Sequence, residues 1–317
     1  MRDVELRWMR PEEREAVLDL LEGAFGEREL FAAYLDFDPE LGPEDSLLAL
    51  AEGEPVACVQ IFTKRIRLRG ETVGLGGIGS VATQSKWRQQ GLASRLLQQA
   101  IAEMRQRGMA LSLLFAGPLP LYERQGWVSI PGRYLRIHSP DEIPGLPETC
   151  TVRDFDPRDL AAVRELYERC AGSLETTTCR TPKYWEGQLR YAGNPNEDFR
   201  VAARDGQIIA YARAMGSPDA RGLLEYACED GAEVELGGLL LRLAAKGHPL
   251  IGPAGPIDGT LRKLGARAEA FRPVSAMWRV LDRTRLEQLA GVGGDEARIL
   301  ETLVDRPDAV YWPSDRF

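Results

Sequence analysis

The same order of structural elements is spelled out twice along this chain. That repetition constrains the fold more than any single motif does. In the first half, apolar alternation and β-branched runs predict strands at residues 4–9, 46–52, 55–68, 72–83 and 110–115, with turns at 52–54 and 69–71. Helical spacing predicts a helix at 11–24, with Pro11 in its first turn and Val17, Leu18, Leu20, Leu21 and Phe25 mostly on one face. Further helices are expected at 29–35, at 91–107 (Leu92, Leu96, Leu97, Ile101, Met104) and at 119–125, ended by Gly126. Residues 133–138 are expected to close this unit. A stretch at 139–147 holding Pro140, Pro144 and Pro147 reads as a linker.

After it the order restarts. A strand at 151–153 leads to a helix at 157–170, a hairpin of 199–203 and 207–214 around Asp205-Gly206, a strand at 223–228 and a helix at 232–245. Ala116-Gly117-Pro118 precedes Tyr122-Glu123-Arg124-Gln125-Gly126. Ala254-Gly255-Pro256 precedes Leu261-Arg262-Lys263-Leu264-Gly265, with a spacing that differs by one residue. The expected organisation is therefore one α/β unit at 1–140, a second at 148–282, and an extension at 283–317 of two short helical stretches and a tail. That tail, Tyr311-Trp312-Pro313-Ser314-Asp315-Arg316-Phe317, is apolar enough to dock.

Composition removes several function classes. At 317 residues the chain suits two domains of about 150 residues each. With 44% hydrophobic and 28% charged residues it reads as soluble and globular. No apolar run approaches the roughly 20 residues of a membrane span. Arg2, Asp3, Glu5 and Arg7 rule out a secretion signal at the start. Cys58, Cys150, Cys170, Cys179 and Cys228 are scattered and odd in number, as expected of reduced thiols in a cytoplasmic protein. With only His138 and His248, no metal is expected. A net charge of −8 argues against nucleic acid and for cationic ligands.

The chemistry is concentrated in Val81-Ala82-Thr83-Gln84-Ser85-Lys86-Trp87-Arg88-Gln89-Gln90-Gly91-Leu92-Ala93. A strand ends near Thr83, and a helix begins at or before Gly91. The helix start offers unpaired N–H groups and the positive end of a dipole. Gly91 and Ala93 let a phosphate approach the backbone, and Lys86 and Arg88 add positive charge. The P-loop and Gly-x-Gly-x-x-Gly patterns are both absent. The plain alternative is an ordinary strand-to-helix turn.

Arg88-x-x-Gly91-x-Ala93 after Val81-Ala82-Thr83 resembles the acetyl-CoA motif of GNAT N-acetyltransferases. Leu121-Tyr122-Glu123-Arg124-Gln125-Gly126-Trp127 resembles the family's later Phe-Tyr-x-x-x-Gly-Phe segment. The likeness covers about residues 3–138. It implies an α/β (α+β) fold of two GNAT-like units, each a mixed, mostly antiparallel sheet flanked by helices. It implies acetyl-CoA as co-substrate, with the backbone of Val81, Ala82 and Thr83 beside the pantetheine arm. The N–H groups of Gln89, Gln90, Gly91, Leu92, Ala93 and Ser94 would hold the pyrophosphate, next to Arg88. Tyr122 would protonate the leaving thiolate, its alternative being a core aromatic. A phenol near pKa 10 gives up its proton usefully only as charge develops on a sulfur whose thiol pKa is near 8.5.

A tandem of an active and a silent unit is similar to the enhanced-intracellular-survival (Eis) acetyltransferases. In the second half Glu233 and Glu235 stand where a pyrophosphate would have to bind, and Leu261 stands where Tyr122 does. That group carries a full third domain and brings a terminal carboxylate to the active site. Here only about 35 residues follow Asp282. The resemblance assigns the carboxylate role to Phe317, as base, as anchor for the ammonium, or merely packed. A terminal carboxyl near pKa 3.5 is a poor direct base for an alkyl ammonium near 10, which favours anchoring with a water relay. Asp36, Asp38 and Glu40 fall near the family's acceptor loop, though a solvated acidic loop is the simpler reading. The expected reaction is direct attack of a primary amine, on a small molecule or peptide and cationic, within a ternary complex. Homo-oligomer formation stays open. The rival reading is an acyl-CoA sensor without turnover, which would not need Tyr122.

Overall fold

The computed structural model describes residues 4–117, 119–140, 143, 145–147, 150–191, 197–216, 221–244 and 248–317, and at Pro256 the backbone only. Met1 to Asp3, Pro118, Ala245 and linker residues 141, 142 and 144 lie outside the described residues. The first half runs β1 (Glu5–Trp8), α1 (Arg14–Phe25), α2 (Arg28–Phe37), β2 (Ser46–Ala51), β3 (Glu54–Leu68), β4 (Glu71–Thr83), α3 (Leu92–Gln106), β5 (Leu111–Leu114), α4 (Pro120–Glu123) and β6 (Val128–Ser129). After β7 (Tyr134–His138) come β8 (Cys150–Asp154), α5 (Leu160–Ala171), α6 (Pro182–Tyr191), β9 (Glu197–Arg204), β10 (Gln207–Gly216), β11 (Arg221–Cys228), α7 (Glu233–Leu243), β12 (Leu250–Pro253), α8 (Asp258–Lys263) and β13 (Arg267–Phe271). The chain ends with β14 (Met277–Val280), α9 (Arg283–Ala290), α10 (Glu296–Val304) and the tail.

The strands form two seven-stranded mixed sheets of matching order. The first is β1-β2-β3-β4-β5-β14-β6; the second, read from its other edge, is β8-β9-β10-β11-β12-β7-β13. Each sheet therefore takes its sixth strand from the other half of the chain. Residues 133–138, expected to close the first unit, instead pair in the second sheet, with Ile137 opposite both Leu250 and Ala268. Met277 of β14 fills the matching slot of the first sheet, opposite Leu114 and Ser129. The physical reason is that both segments are short apolar alternations that fit the same gap, so local pattern cannot choose between them. The tertiary core decides: Leu135 and Ile137 are buried in the second unit, Met277 and Val280 in the first.

Packing fixes which face carries what. The apolar stripe of α3, Leu92, Leu96, Leu97, Ile101 and Met104, lies on one face of the first sheet with Leu47, Ala49 and Ile78. On the opposite face Val17, Leu18 and Leu21 of α1 cover Leu48, Leu50 and Cys58. Further along that face Leu286 of α9 and Ile299, Leu300 and Leu303 of α10 cover Leu75, Leu111 and Leu113. The long β3–β4 hairpin turns at Arg69-Gly70, with φ 54° and 77°, the conformation a two-residue hairpin loop requires. Its arm reaches the second unit: Arg67 N–H donates to Thr177 O at 2.9 Å and Cys179 N–H donates to Arg65 O at 2.7 Å. Among the described residues no helix is long and apolar enough to cross a membrane, and no group of three or more His, Cys, Asp or Glu could hold a metal ion.

Candidate active site

Strand β4 pairs with β3 along its whole length, from Leu68↔Glu71 to Ala57↔Thr83, but with β5 only from Leu75↔Leu111 to Ile78↔Leu114. Beyond Ile78 the two parallel strands part, and among the described residues the β5-side edge of residues 79–83 has no ladder partner. A bulge sits at this point. The register shifts between Cys58 and Gln60, so Ser80 and Val81 both oppose Val59, and Ser80 takes φ 52°. An extra residue bends the strand away from its neighbour. The free edge can accept an extended ligand as an added strand.

The chain then makes a short 3₁₀ turn at Ser85–Trp87 and reverses through Gln89 and Gly91, with φ 62° and 77°. Gly91 is the N-cap of α3 and no side chain caps that helix, so its first N–H groups have no capping acceptor. A Cβ on Gly91 would meet nothing within 4 Å, which places the residue against open space. A cleft of about 660 Å³ brings together Val81, Ala82, Thr83 and Arg88. Its wall continues through Gln89, Gly91, Leu92, Ala93 and Ser94 to Tyr122. Gln90 does not line it; its amide donates to Lys86 O at 3.3 Å. Arg88 Nε donates to Thr83 O at 3.2 Å, tying the loop to the end of β4. Lys86 lines an adjoining depression that shares Thr83 and Arg88 with the cleft. Trp87 packs in the core under α3.

Tyr122 belongs to both expected environments. Its residue is 9% exposed and its ring stands edge-on to Trp127 at 6.2 Å, yet it forms part of the cleft wall. Burial raises its phenol above the ordinary value. Phe25 and Leu119, both about half exposed, also line the cleft; Phe25, expected on the apolar face of the first helix, stands out from the core at its end, and local pattern marks neither residue as part of a site.

Phe317 does not line that cleft. It packs on the other face of β4, its ring stacked on Phe62 (5.2 Å, 20°) and tilted against Phe115 (5.2 Å). A Cβ at Gly77 would lie 2.3 Å from the ring, and one at Gly79 would lie 3.4 Å from the main-chain carbon of Phe317. The tail thus lies on a floor that only glycine allows. Of the glycines of β4, Gly77 and Gly79 face the tail, whereas Gly74 and Gly76 allow the close approach of Met109 and Met104 on the other face. The tail is held by a buried network. Arg180 donates to Asp315 and Glu225, Tyr184 OH donates to Asp315 at 3.1 Å, and Gln188 donates to Ser314 O at 2.9 Å.

The acidic loop is not free. Asp36 accepts two bonds from Arg14, at 2.7 and 2.9 Å. Asp38 is buried and accepts from Lys64 at 2.6 Å, which neutralises it. In the second unit Glu235 is buried at the start of α7 against Arg204, and Glu233 accepts from Gly231 N–H. Tyr226 of β11 donates to Ala254 O at 3.0 Å, with Trp312 edge-on to its ring at 4.9 Å. Tyr226 thus bridges β11 to the chain after β12, beyond the last ladder pair Gly222↔Ile251. Leu261 is fully buried.

Residues 5–130 match the family described as an acetyltransferase (GNAT) domain. An uncharacterized N-acetyltransferase of Streptomyces avermitilis is 26% identical over 212 residues, which cover 60% of this chain and 46% of that protein. The matched stretch is thus less than half the length of that relative. A conserved protein from Enterococcus faecalis, described as a probable N-acyltransferase, has a similar structure, with TM-score 0.71, 18% identity, and coverage of 90% of this chain and 74% of that one. Eis1 from Mycobacterium abscessus gives TM-score 0.65 at 18% identity, over 90% of this chain and 76% of that one. At these identities the structural likeness speaks for the fold, and the matched segment is the one that contains the bulged β4, the glycine-capped α3 and Tyr122. What the comparisons establish is thus a match to the acetyltransferase (GNAT) domain over residues 5–130, the stretch of the chain that carries the whole cleft.

Proposed function

We propose that this chain transfers acetyl from acetyl-CoA to a primary amine of a small molecule or peptide, by direct attack in a ternary complex. The observation that carries this reading is the single cleft joining the unpaired edge of β4, the uncapped start of α3 and Tyr122. The residues suit the co-substrate: an open strand edge for an amide-bearing arm, helix N–H groups for a diphosphate, and room of about 660 Å³ for both. Bound there, acetyl-CoA supplies an activated thioester. Val81, Ala82 and Thr83 align the arm, residues 89–94 hold the diphosphate, and Tyr122 keeps a proton for the departing sulfur. Fixing acceptor and thioester together supplies much of the acceleration.

Phe317, through its main-chain carboxylate, orients the acceptor ammonium and passes its proton to water. The second unit works as scaffold. Its carboxylates at the start of α7 oppose a diphosphate, and Tyr226 bridges its parted strands to Ala254. The test is release of free thiol from acetyl-CoA with a panel of amines. Turnover with any amine, lost in Tyr122→Phe, supports the enzyme. Tight binding of acetyl-CoA with no turnover across the panel points instead to a sensor.

A further inference from the structure

Phe115 has a second neighbour besides the Phe317 ring. The Arg316 guanidinium carbon lies 4.8 Å from its ring centroid. Arg316 Nη2 donates to the Tyr134 hydroxyl at 2.8 Å, while its Nε is buried with no hydrogen-bond partner. Among the described residues no carboxylate pairs with this arginine. Arg316, Tyr134 and Phe115 surround a cavity of about 70 Å³ between the two units, walled otherwise mainly by apolar groups such as Leu113, Ile130 and Trp278. Among the described residues no Asp or Glu lines it. Arg133, also on its wall, shares Asp305 with Arg272, at 3.2 and 2.6 Å, so one carboxylate serves two guanidiniums.

The charged side chains on the wall are Arg133 and Arg316, with Asp305 reaching Arg133 from outside it, in a chain whose net charge is −8. A guanidinium against apolar walls without a counter-ion is costly to keep desolvated. A planar anion with two oxygens would meet its fork and relieve that cost. The volume is several times the roughly 10–15 Å³ that one water needs, enough for a carboxylate head and too small for a nucleotide.

We propose that this cavity is a carboxylate-binding subsite, in which Arg316 and Tyr134 hold the anionic end of a small molecule. The carboxylate has two sources. It is either part of the acceptor, making that an amine bearing an acid group, or a free small carboxylate bound apart from the reaction. The first source rests on the acetyl-transfer reading; the site itself does not.

Formate is the probe, because it fits the volume and does not mimic the acetyl group. Unfolding temperature is followed against formate at constant ionic strength, with chloride making up the difference. The wild type should show a saturable rise with formate that chloride does not reproduce. Arg316→Gln should weaken the apparent affinity by about tenfold or more, and Tyr134→Phe by a few-fold, in line with hydrogen bonds to a charged group. Arg316→Lys keeps the charge and the docked tail but not the fork, and should bind formate with intermediate affinity. Acetyl-transfer kinetics then identify the source. Formate that raises only the KM of the acceptor marks the acceptor's own carboxylate, and formate that binds without affecting transfer marks a separate ligand. No saturable effect beyond chloride, or an equal effect in Arg316→Gln, overturns the proposal whether or not the protein transfers acetyl groups.

Discussion

The Arg180 guanidinium grips the Asp315 carboxylate through Nε at 2.9 Å and Nη2 at 2.8 Å, across 135 residues of sequence, with both side chains wholly buried. The same guanidinium donates to Glu225 at 2.6 Å. Burial alone would raise the Glu225 carboxyl, but Arg180 and Arg213 outweigh it and hold the group down at about 2. Removing Arg180 leaves the buried Asp315 without a cation and Glu225 with Arg213 alone, so Arg180→Met should cost about 3–5 kcal/mol and release the tail. A folded value below the unfolded one gives stability that is full above the ordinary carboxylate value of 4.5 and is lost as pH falls toward about 2. Acid unfolding followed by circular dichroism should therefore set in at higher pH in Arg180→Met than in the wild type.

Gly91→Glu should weaken acetyl-CoA binding severely while leaving the fold in place. The left-handed φ of 77° disfavours any side chain, and the new carboxylate would stand at the diphosphate site. Calorimetric titration of the wild type should give one site per chain, because the second unit offers Glu233 and Glu235 at the corresponding helix start. Two equivalent sites would contradict the scaffold role.

Tyr122→Phe keeps the edge-on contact with Trp127 and removes only the hydroxyl. The expected loss in kcat is about 10²- to 10³-fold, with the dissociation constant of acetyl-CoA almost unchanged. A general acid must be protonated to act, and burial keeps this phenol protonated above its ordinary value of 10.0. The alkaline limb of kcat assigned to Tyr122 should accordingly lie above that value and vanish in Tyr122→Phe. Wild-type turnover in the variant would leave Tyr122 as a core residue.

Gly77→Ala places a methyl 2.3 Å from the Phe317 ring and should push the end of the chain off β4. Displacement of an aligned group by about 1 Å can cost on the order of 100-fold in rate. That fall is expected with acetyl-CoA affinity intact. Appending several residues after Phe317 should give the same split between rate and affinity, since it replaces the carboxylate with a peptide group. Normal turnover in both proteins would reduce the tail to packing.

What could be read in advance follows the range over which each determinant acts. The strand–loop–helix around Thr83 and Gly91 was legible because turn chemistry and helix starts are encoded within a dozen residues. The stripe of α3 was legible because Leu92, Leu96, Leu97, Ile101 and Met104 repeat at helical spacing. The destination of Tyr134–His138 was not, because pairing with Leu250 and Ala268 depends on residues more than 100 positions away. The burial of Asp38 escaped for the same reason: Lys64 neutralises it from another element, so an acidic-looking loop contributes no free acid at that position. Helix α6 was missed too, although its Tyr184 and Gln188 hold the tail.

The reciprocal placement of β7 and β14 has a bearing on how the molecule is made. While the ribosome is still extending the second half, the first sheet has β5 and β6 but lacks the strand that joins them, since Met277 has not been translated. The nascent chain through β6 carries every cleft residue yet cannot close its own sheet. Closure waits on a pairing between Leu114 and Met277, a contact of high sequence separation and therefore slow to form. The glycine floor of β4 stays bare longer still, until Phe317 emerges. Expressed alone, residues 1–131 should expose the edges of β5 and β6 and aggregate, and co-expression with residues 132–317, which keep β7 with its own sheet, should restore solubility by supplying β14 in trans.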